Sequence, residues 1–317
     1  MTEGGAIGRF RERHNLLVIL GPTASGKTAL AIFVARRIGG EIISADSRQV
    51  YRGMDLGTGK DIGDYLEGGA PVPYHLIDIL DPSEEFSVFD YQQRFDRCFL
   101  EIAASGKIPI LAGGTGLYLD AVIRGYRMSA VPESEALRAE LERMDLTSLR
   151  RRLLALRPKL HNSTDLQDRK RLVRAIEIAE FEAERPEGEP RPALRPLIVG
   201  IRCERAELRR RIARRLDARL QSGMVEEVER LHDAGLSWER IDSFGLEYRY
   251  IGLYLQERMG FEEMRENLNI KIGQFAKRQE TWFRRMERKG LEIHWIEGDR
   301  EPAAVIVQMI SNSGRET

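Results

Sequence analysis

The sequence predicts an α/β fold, with a parallel sheet at its core, a helical insertion domain and a helical C-terminal region. Three observations predict it. Short apolar runs at Leu16–Leu20, Ile42–Ala45, His75–Ile79, Ile108–Ala112 and Leu197–Ile201 recur with helical stretches between them. Strands alternating with helices imply a parallel sheet covered on both faces. A glycine-rich loop follows the first run directly, and two charged stretches of helical period, 133–184 and 237–289, interrupt the alternation.

The first element and its loop read LLVILGPTASGKTALA, Leu16 to Ala31. Gly21, four residues, then Gly26-Lys27-Thr28 is the spacing of a phosphate-cradling P-loop, so the core is P-loop NTPase-like. Leu16–Leu20 reads as a buried strand, and Thr28 to Arg37 has helical composition without a breaker. Gly21 and Gly26 let the backbone turn through Pro22, Thr23, Ala24 and Ser25, so that the N–H groups of the loop, which Pro22 lacks, point inward toward an anion. Lys27 supplies a mobile cation, and the Thr28 hydroxyl can hold Mg²⁺.

The second run ends in an acid, in EIISADSRQVY. Asp46 reads either as the metal-holding carboxylate of a P-loop hydrolase moved to another strand, or as a general base. Ser47, Arg48, Gln49 and Tyr51 follow it, and their hydroxyl, amide and aromatic groups suit the edge and face of a nucleobase. The fourth run ends in Gly113-Gly114-Thr115, where a hydrolase would carry its acid. Thr115 needs no function as a turn residue, but it falls at the carboxyl end of a parallel strand, where ligands of such sheets bind. LEIHWIEG near the C-terminus adds a further candidate strand, and ERPEGEPRPALRP reads as a stiff proline-rich linker.

Composition limits the partners. The 317 residues suffice for about two domains, and 50 basic residues balance 50 acidic ones. Zero net charge argues against a general polyanion binder but permits a local basic face. Cys98 and Cys203 lack partners at metal-ligand spacing and read as buried thiols of a reduced compartment. With no signal-peptide core and no membrane-length apolar run, a cytoplasmic protein without a membrane partner is expected, acting as a monomer.

Several segments together resemble the tRNA dimethylallyltransferases, also called tRNA isopentenyltransferases. They are GPTASGKT, ISADSRQVYRGMDLGTGK, YHLIDILDP, GKIPILAGGTGLYLDAV, DRKRLVRAIEI, LRRRIARRLDARLQSGMVEEV and AKRQETWFRR, in family order along nearly the whole chain. Each later motif is weak alone; the ordered set is specific. The resemblance implies transfer of a dimethylallyl group from dimethylallyl pyrophosphate to N6 of the adenosine adjacent to the anticodon in tRNA, with Mg²⁺ as cofactor. The P-loop would then hold a leaving pyrophosphate. Asp46 would take the amine proton, and Thr115 would hydrogen-bond the oxygen bridging to the pyrophosphate.

Matching the family pattern places Arg211 and Arg215 one helical turn apart on one face, both at the pyrophosphate, with Arg215 as the catalytic contact. Such arginine runs otherwise form a solvated helix face. The tRNA-binding candidates are Asp46 to Gln49, Arg138, Gln167-Asp168-Arg169-Lys170-Arg171, Tyr248 and Arg249, and the basic-aromatic run with Lys277, Arg278, Gln279, Trp282 and Arg284. Trp282 and Phe283 also suit ordinary core packing. The family's Gly-Tyr-Arg/Lys-Gln/Glu motif departs here: in SFGLEYRYIGLYL, Glu247 replaces the glycine and Tyr250 the polar residue, with Gly245 two positions earlier. The expected organisation is a P-loop core over 1–126 and 196–235, a helical insertion over 127–195, a helical tRNA-binding region over 236–289 and a closing strand and tail over 290–317. Prenylation of free adenine nucleotides, a small-molecule P-loop kinase and a non-catalytic RNA-binding protein are the competing readings. The two basic helical regions weigh against the first two, and the intact P-loop with Asp46 against the third.

Overall fold

The computed structural model describes residues 3–126, 128, 131–156, 166–184, 191–298 and 302–312. The first half runs α1 (Glu3–Arg13), β1 (Leu16–Leu20), α2 (Lys27–Ile38), β2 (Gly40–Ala45), α3 (Gly63–Leu66), β3 (Tyr74–His75), α4 (Val88–Ala104), β4 (Ile108–Gly113) and α5 (Gly116–Ile123). Three helices follow, α6 (Glu135–Glu142), α7 (Leu146–Leu156) and α8 (Arg169–Glu184). The chain then returns through β5 (Pro196–Arg202) to α9 (Arg205–Gln221), α10 (Met224–Asp233), α11 (Trp238–Ser243), α12 (Leu246–Leu255), α13 (Phe261–Arg288), β6 (His294–Glu297) and α14 (Pro302–Asn312). It divides into two compact units. One comprises residues up to Arg124 and from Pro192 onward; the other is Gly125–Arg191.

The larger unit is built on a six-stranded parallel sheet in the order β3-β2-β4-β1-β5-β6. Period-two alternation sends Leu17 and Ile19 to one face and Leu16, Val18 and Leu20 to the other. On the first face they meet Phe10 of α1, Leu30 and Val34 of α2, and Ile306 and Ile310 of α14. On the second they meet Tyr91 and Phe95 of α4, Leu119 of α5, and Phe283 and Met286 of α13. Both faces are dry, which is why these strands are near-continuous apolar runs. A third cluster joins α9–α13 to Val50, Tyr51 and Met54 after β2. The smaller unit has its own core, with Leu141, Leu149, Leu153, Leu172 and Ile176 from its three helices.

One expected strand is shorter than the apolar run suggests. Of His75–Ile79 only His75 joins the sheet, in β3 with Tyr74 before it, because Leu76 and Asp78 adopt left-handed backbone at φ 62° and 54°. The bend serves a buried lysine. Lys60 is 0% exposed, and its ammonium donates to the Tyr51 carbonyl at 2.6 Å and to Asp55 at 2.8 Å, with Asp78 as a further partner. A buried ammonium must be paired and hydrogen-bonded, and turning Asp78 inward supplies its counter-charge. Part of the proline-rich linker, 185–190, and residues 157–165 of the helical insertion lie outside the described residues. No described helix is long and apolar enough to cross a membrane.

The register at the carboxyl end of the sheet is tight. Gly113 pairs with Leu20 of β1 on one side and Ala45 of β2 on the other. A Cβ there would come within 2.5 Å of the Ala45 carbonyl carbon. Gly113→Ala is therefore expected to push β2 and β4 apart and destabilise the fold by about 1–3 kcal/mol, as overpacked cores do. Urea unfolding of the purified variant measures this, and an unchanged midpoint would mean that Ala45 gives way.

Candidate active site

Three loops converge because their strands are neighbours. The P-loop leaves β1, Thr115 follows β4 and Asp46 follows β2, and β4 lies between the other two. Thr115 donates its backbone N–H to the Ala45 carbonyl at 3.1 Å, and its Oγ1 accepts the Ser47 N–H at 3.1 Å. Asp46 Oδ1 accepts the Arg48 N–H at 2.9 Å, which steers the carboxylate toward the loop it precedes. Thr115 and Asp46, 69 positions apart in the chain, are thus locked one residue from each other.

The P-loop ends at Gly26, whose φ of 86° caps α2 in the left-handed region that glycine tolerates. Ala24 also has positive φ, at 62°. Lys27 folds back, its Nζ 3.4 Å from the Pro22 carbonyl. Burial pulls its pKa down to about 8; Asp46 opposes this, and Arg215 and Arg219 add to it. The Ser25 hydroxyl is buried with no hydrogen-bond partner among the described residues. An unpaired buried hydroxyl beside a part-buried cation is a cradle made for an anion. For Mg²⁺, the Thr28 hydroxyl at the start of α2 is the donor, and the described residues hold no group of three or more His, Cys, Asp or Glu fit for a metal. That donor set fits an ion held chiefly through phosphate oxygens.

The arginine helix α9 contributes differently from the motif match. Arg215 donates to the Thr23 hydroxyl, and burial pulls its pKa down to about 10, with Arg219 adding to the effect. Arg211 instead donates to Glu207 at 2.8 Å, one turn back. The second arginine acting on Lys27 is Arg219, one turn beyond Arg215 and paired with Asp61 at 3.2 Å. The 211-215-219 spacing keeps all three on one face, so Arg219 was readable from period alone. Glu247 lines the same small cavity as Arg215 and Arg219. Burial raises its pKa, while the two arginines pull it back.

The loop after Asp46 is held from α10. Glu227, 2% exposed, accepts N–H groups from Asp55 at 2.9 Å, Leu56 at 2.7 Å and Gly57 at 3.0 Å, and the Tyr248 hydroxyl at 2.8 Å. The held loop fixes the Gln49 amide, whose Nε2 donates to Gly59 O at 3.0 Å while its Oε1 accepts from Ser44 at 2.9 Å. Glu227 carried no sequence signal of this role. Tyr248 is 1% exposed and packs in the core, so its side chain is not presented to a nucleic acid. Arg249 is exposed and paired with Asp242 at 2.5 Å.

On α13, Lys277, Arg278 and Arg284 are exposed. Trp282 turns inward against Gly116, where a Cβ would meet its ring at 2.5 Å. Gln279 also turns inward and bonds the protein's own backbone, contrary to the tRNA-facing placement expected of it. In the smaller unit, Gln167, Lys170 and Arg171 are exposed. Arg169 is committed to the Leu141 and Glu142 carbonyls at 3.0 and 2.7 Å, and Asp168 caps α8 through the Arg171 N–H. Arg138 is held by buried Glu177 at 2.8 Å and by Glu133 at 2.6 Å, which raise its pKa. The last three are structural as they stand here.

A family model described as IPP transferase matches residues 49–286, and one described as isopentenyl transferase matches residues 14–76. The chain is 58% identical over 287 residues to tRNA dimethylallyltransferase 1 of Syntrophus aciditrophicus, covering 90% of this chain and 94% of that one. It is 57% identical over 298 residues to tRNA dimethylallyltransferase 2 of Trichlorobacter lovleyi, covering 94% and 96%. Among solved structures, the full-length tRNA isopentenylpyrophosphate transferase of Bacillus halodurans superposes with a TM-score of 0.69 at 34% identity, over 95% of this chain and 96% of that one.

The part-buried Lys27 ammonium gives this site a stability signature. Its folded pKa of about 8 lies below the ordinary 10.5, so the charge penalty is fully present below pH 8 and fades as pH rises toward 10.5. Lys27→Met should therefore stabilise the ligand-free protein at pH 7 by on the order of 1–3 kcal/mol, and this advantage should vanish by about pH 10.5. Unfolding midpoints of both proteins across that range test it; a variant less stable at pH 7 would refute it.

Proposed function

Because the chain belongs to the tRNA dimethylallyltransferase family, we propose that it moves a dimethylallyl group from dimethylallyl pyrophosphate to N6 of the adenosine adjacent to the anticodon of tRNA, releasing pyrophosphate. The observation that carries this reading is the order of groups along the sheet edge. An acid follows β2, a hydroxyl follows β4 and a phosphate cradle follows β1. A transfer from pyrophosphate to an amine needs those three functions in that sequence.

N6 attacks C1 of the prenyl group as the C1–O bond breaks, and the proton lost from N6 passes to Asp46. One Asp46 oxygen already accepts the Arg48 N–H, and the other is the base. Thr115 Oγ1 accepts from Ser47, which leaves its own proton to donate to the departing bridging oxygen. Charge building on the pyrophosphate falls among Lys27, Arg215, Arg219 and the loop amides. Thr28 would hold Mg²⁺ together with phosphate oxygens, and the ion would supply positive charge against the pyrophosphate. Ser47 and Arg48 face the acceptor base, Gln49 is spent on Ser44 and Gly59 and holds their loop instead of meeting the base, and the exposed cations of α13 and of the smaller unit meet tRNA phosphates.

The direct assay offers labelled dimethylallyl pyrophosphate and Mg²⁺ with an anticodon stem-loop, AMP or ATP. Label should pass to the stem-loop, and labelled AMP alone would move the reading to free nucleotides. Asp46→Asn should lower kcat by about 10²–10⁴-fold with stem-loop affinity retained; near-normal kcat would return Asp46 to a metal-holding or structural part.

The cations of the smaller unit have a separate readout. Changing Lys170 and Arg171 together to alanine should raise the tRNA KM and flatten the slope of log affinity against log salt by about one to two units. The dimethylallyl pyrophosphate KM should stay put. Titration with the stem-loop at several salt concentrations tests this, and parallel slopes would mean a merely solvated helix face.

A further inference from the structure

The run Lys277-Arg278-Gln279 on α13 splits in two directions. Lys277 and Arg278 are exposed, whereas Gln279 is 7% exposed and points at the sheet edge. Its Oε1 accepts the Thr23 N–H at 2.8 Å and its Nε2 donates to the Gly114 carbonyl at 2.9 Å. One partner is a donor and the other an acceptor, so only one orientation of the amide satisfies both. Each partner also borders a group used in the reaction. Thr23 lies in the P-loop and takes Arg215 on its hydroxyl; Gly114 immediately precedes Thr115. The side chain spans 256 positions in one contact and 165 in the other, so no local segment could replace it.

Resting on the transferase reading above, we propose that Gln279 is a positioning residue that fastens the P-loop to the Thr115 turn, rather than a tRNA contact. The Thr23 N–H is spent on this clamp, which confines the anion cradle to the later loop amides. The same amide fixes how far the Thr115 hydroxyl stands from that cradle. Prenyl transfer needs the hydroxyl on the bridging oxygen and the cradle on the same pyrophosphate, so the distance between the two loops is a catalytic coordinate. Without the clamp, each loop keeps its own strand, but a part-buried N–H and a buried carbonyl lose their partners and the loops lose their common alignment.

Two variants separate the limbs. Gln279→Met removes both hydrogen bonds. Gln279→Glu keeps an acceptor for the Thr23 N–H and loses the donor to Gly114. Steady-state kinetics with dimethylallyl pyrophosphate and an anticodon stem-loop, alongside the stem-loop Kd measured directly, give the readout. Gln279→Met should raise the dimethylallyl pyrophosphate KM and lower kcat, each by about tenfold, with the stem-loop Kd within about twofold. Gln279→Glu should lose kcat with the stem-loop Kd within about twofold, and its carboxylate beside the cradle should raise the donor KM as well. A raised stem-loop Kd with an unchanged donor KM overturns the proposal, and so do unaltered kinetics in both variants. If Gln279→Met fails to fold, Gln279→Glu decides: reduced kcat at unchanged stem-loop Kd supports the clamp, and anything else overturns it. A wild type that transfers no label removes the transferase reading and the clamp together, whereas failure of the clamp alone leaves wild-type turnover intact.

Discussion

Hydrogen-bonding register across three adjacent strands is the constraint on which the site depends. Gly113 stands opposite Leu20 and Ala45 at once, so the chain leaves β1, β4 and β2 at the same height. Everything chemical follows within a few residues of that line: Gly21 to Thr28 on one side, Thr115 in the middle, Asp46 on the other. Parallel strands are rigid and their spacing is fixed by the ladder, which makes the sheet edge a ruler for aligning a nucleophile, a carbon centre and a leaving group. Helices from the C-terminal half are then packed around this line, α9 bringing cations and α13 bringing Gln279 and Trp282.

The electrostatics of the site are unfavourable without its anion. Lys27 and Arg215 both have lowered pKa values, chiefly from burial, and Arg219 adds to each shift. Glu247 partly balances the arginines from within the same cavity, at a position where the family motif has glycine. A folded core that stores such like-charge crowding concentrates its destabilisation at the place where binding relieves it. Stability and affinity for a polyanion are here two readings of one charge arrangement.

Much of the fold was legible because its signals are local. Leu16–Leu20 and Ile108–Ala112 are strands by apolar run and length, and the P-loop is fixed by glycine spacing. The run His75–Ile79 misled because a distant need, the counter-charge for buried Lys60, bends it out of the sheet. Asp46 and Thr115 could be named from their positions after strands, but not their mutual hydrogen bonding through Ser47, which depends on strand order. Tyr248 and Gln279 lay in basic or aromatic motifs that suggest a nucleic-acid surface. Helical phase turned both inward, onto Glu227 and onto Thr23 and Gly114. In the same way Arg169 and Arg138 look like free cations in sequence and are tied to carbonyls and carboxylates in space.

The Glu227 carboxylate sits in a ring of three successive backbone amides, the kind of concavity that elsewhere grips phosphate. The larger unit therefore contains two anion cradles, and it has filled one of them with a part of itself. A tethered carboxylate acts at an effective concentration far above that of any dissolved anion, so pyrophosphate released by turnover cannot compete for that ring. The loop that carries Gln49 is thus held by a carboxylate of the protein itself and not by an anion drawn from solution.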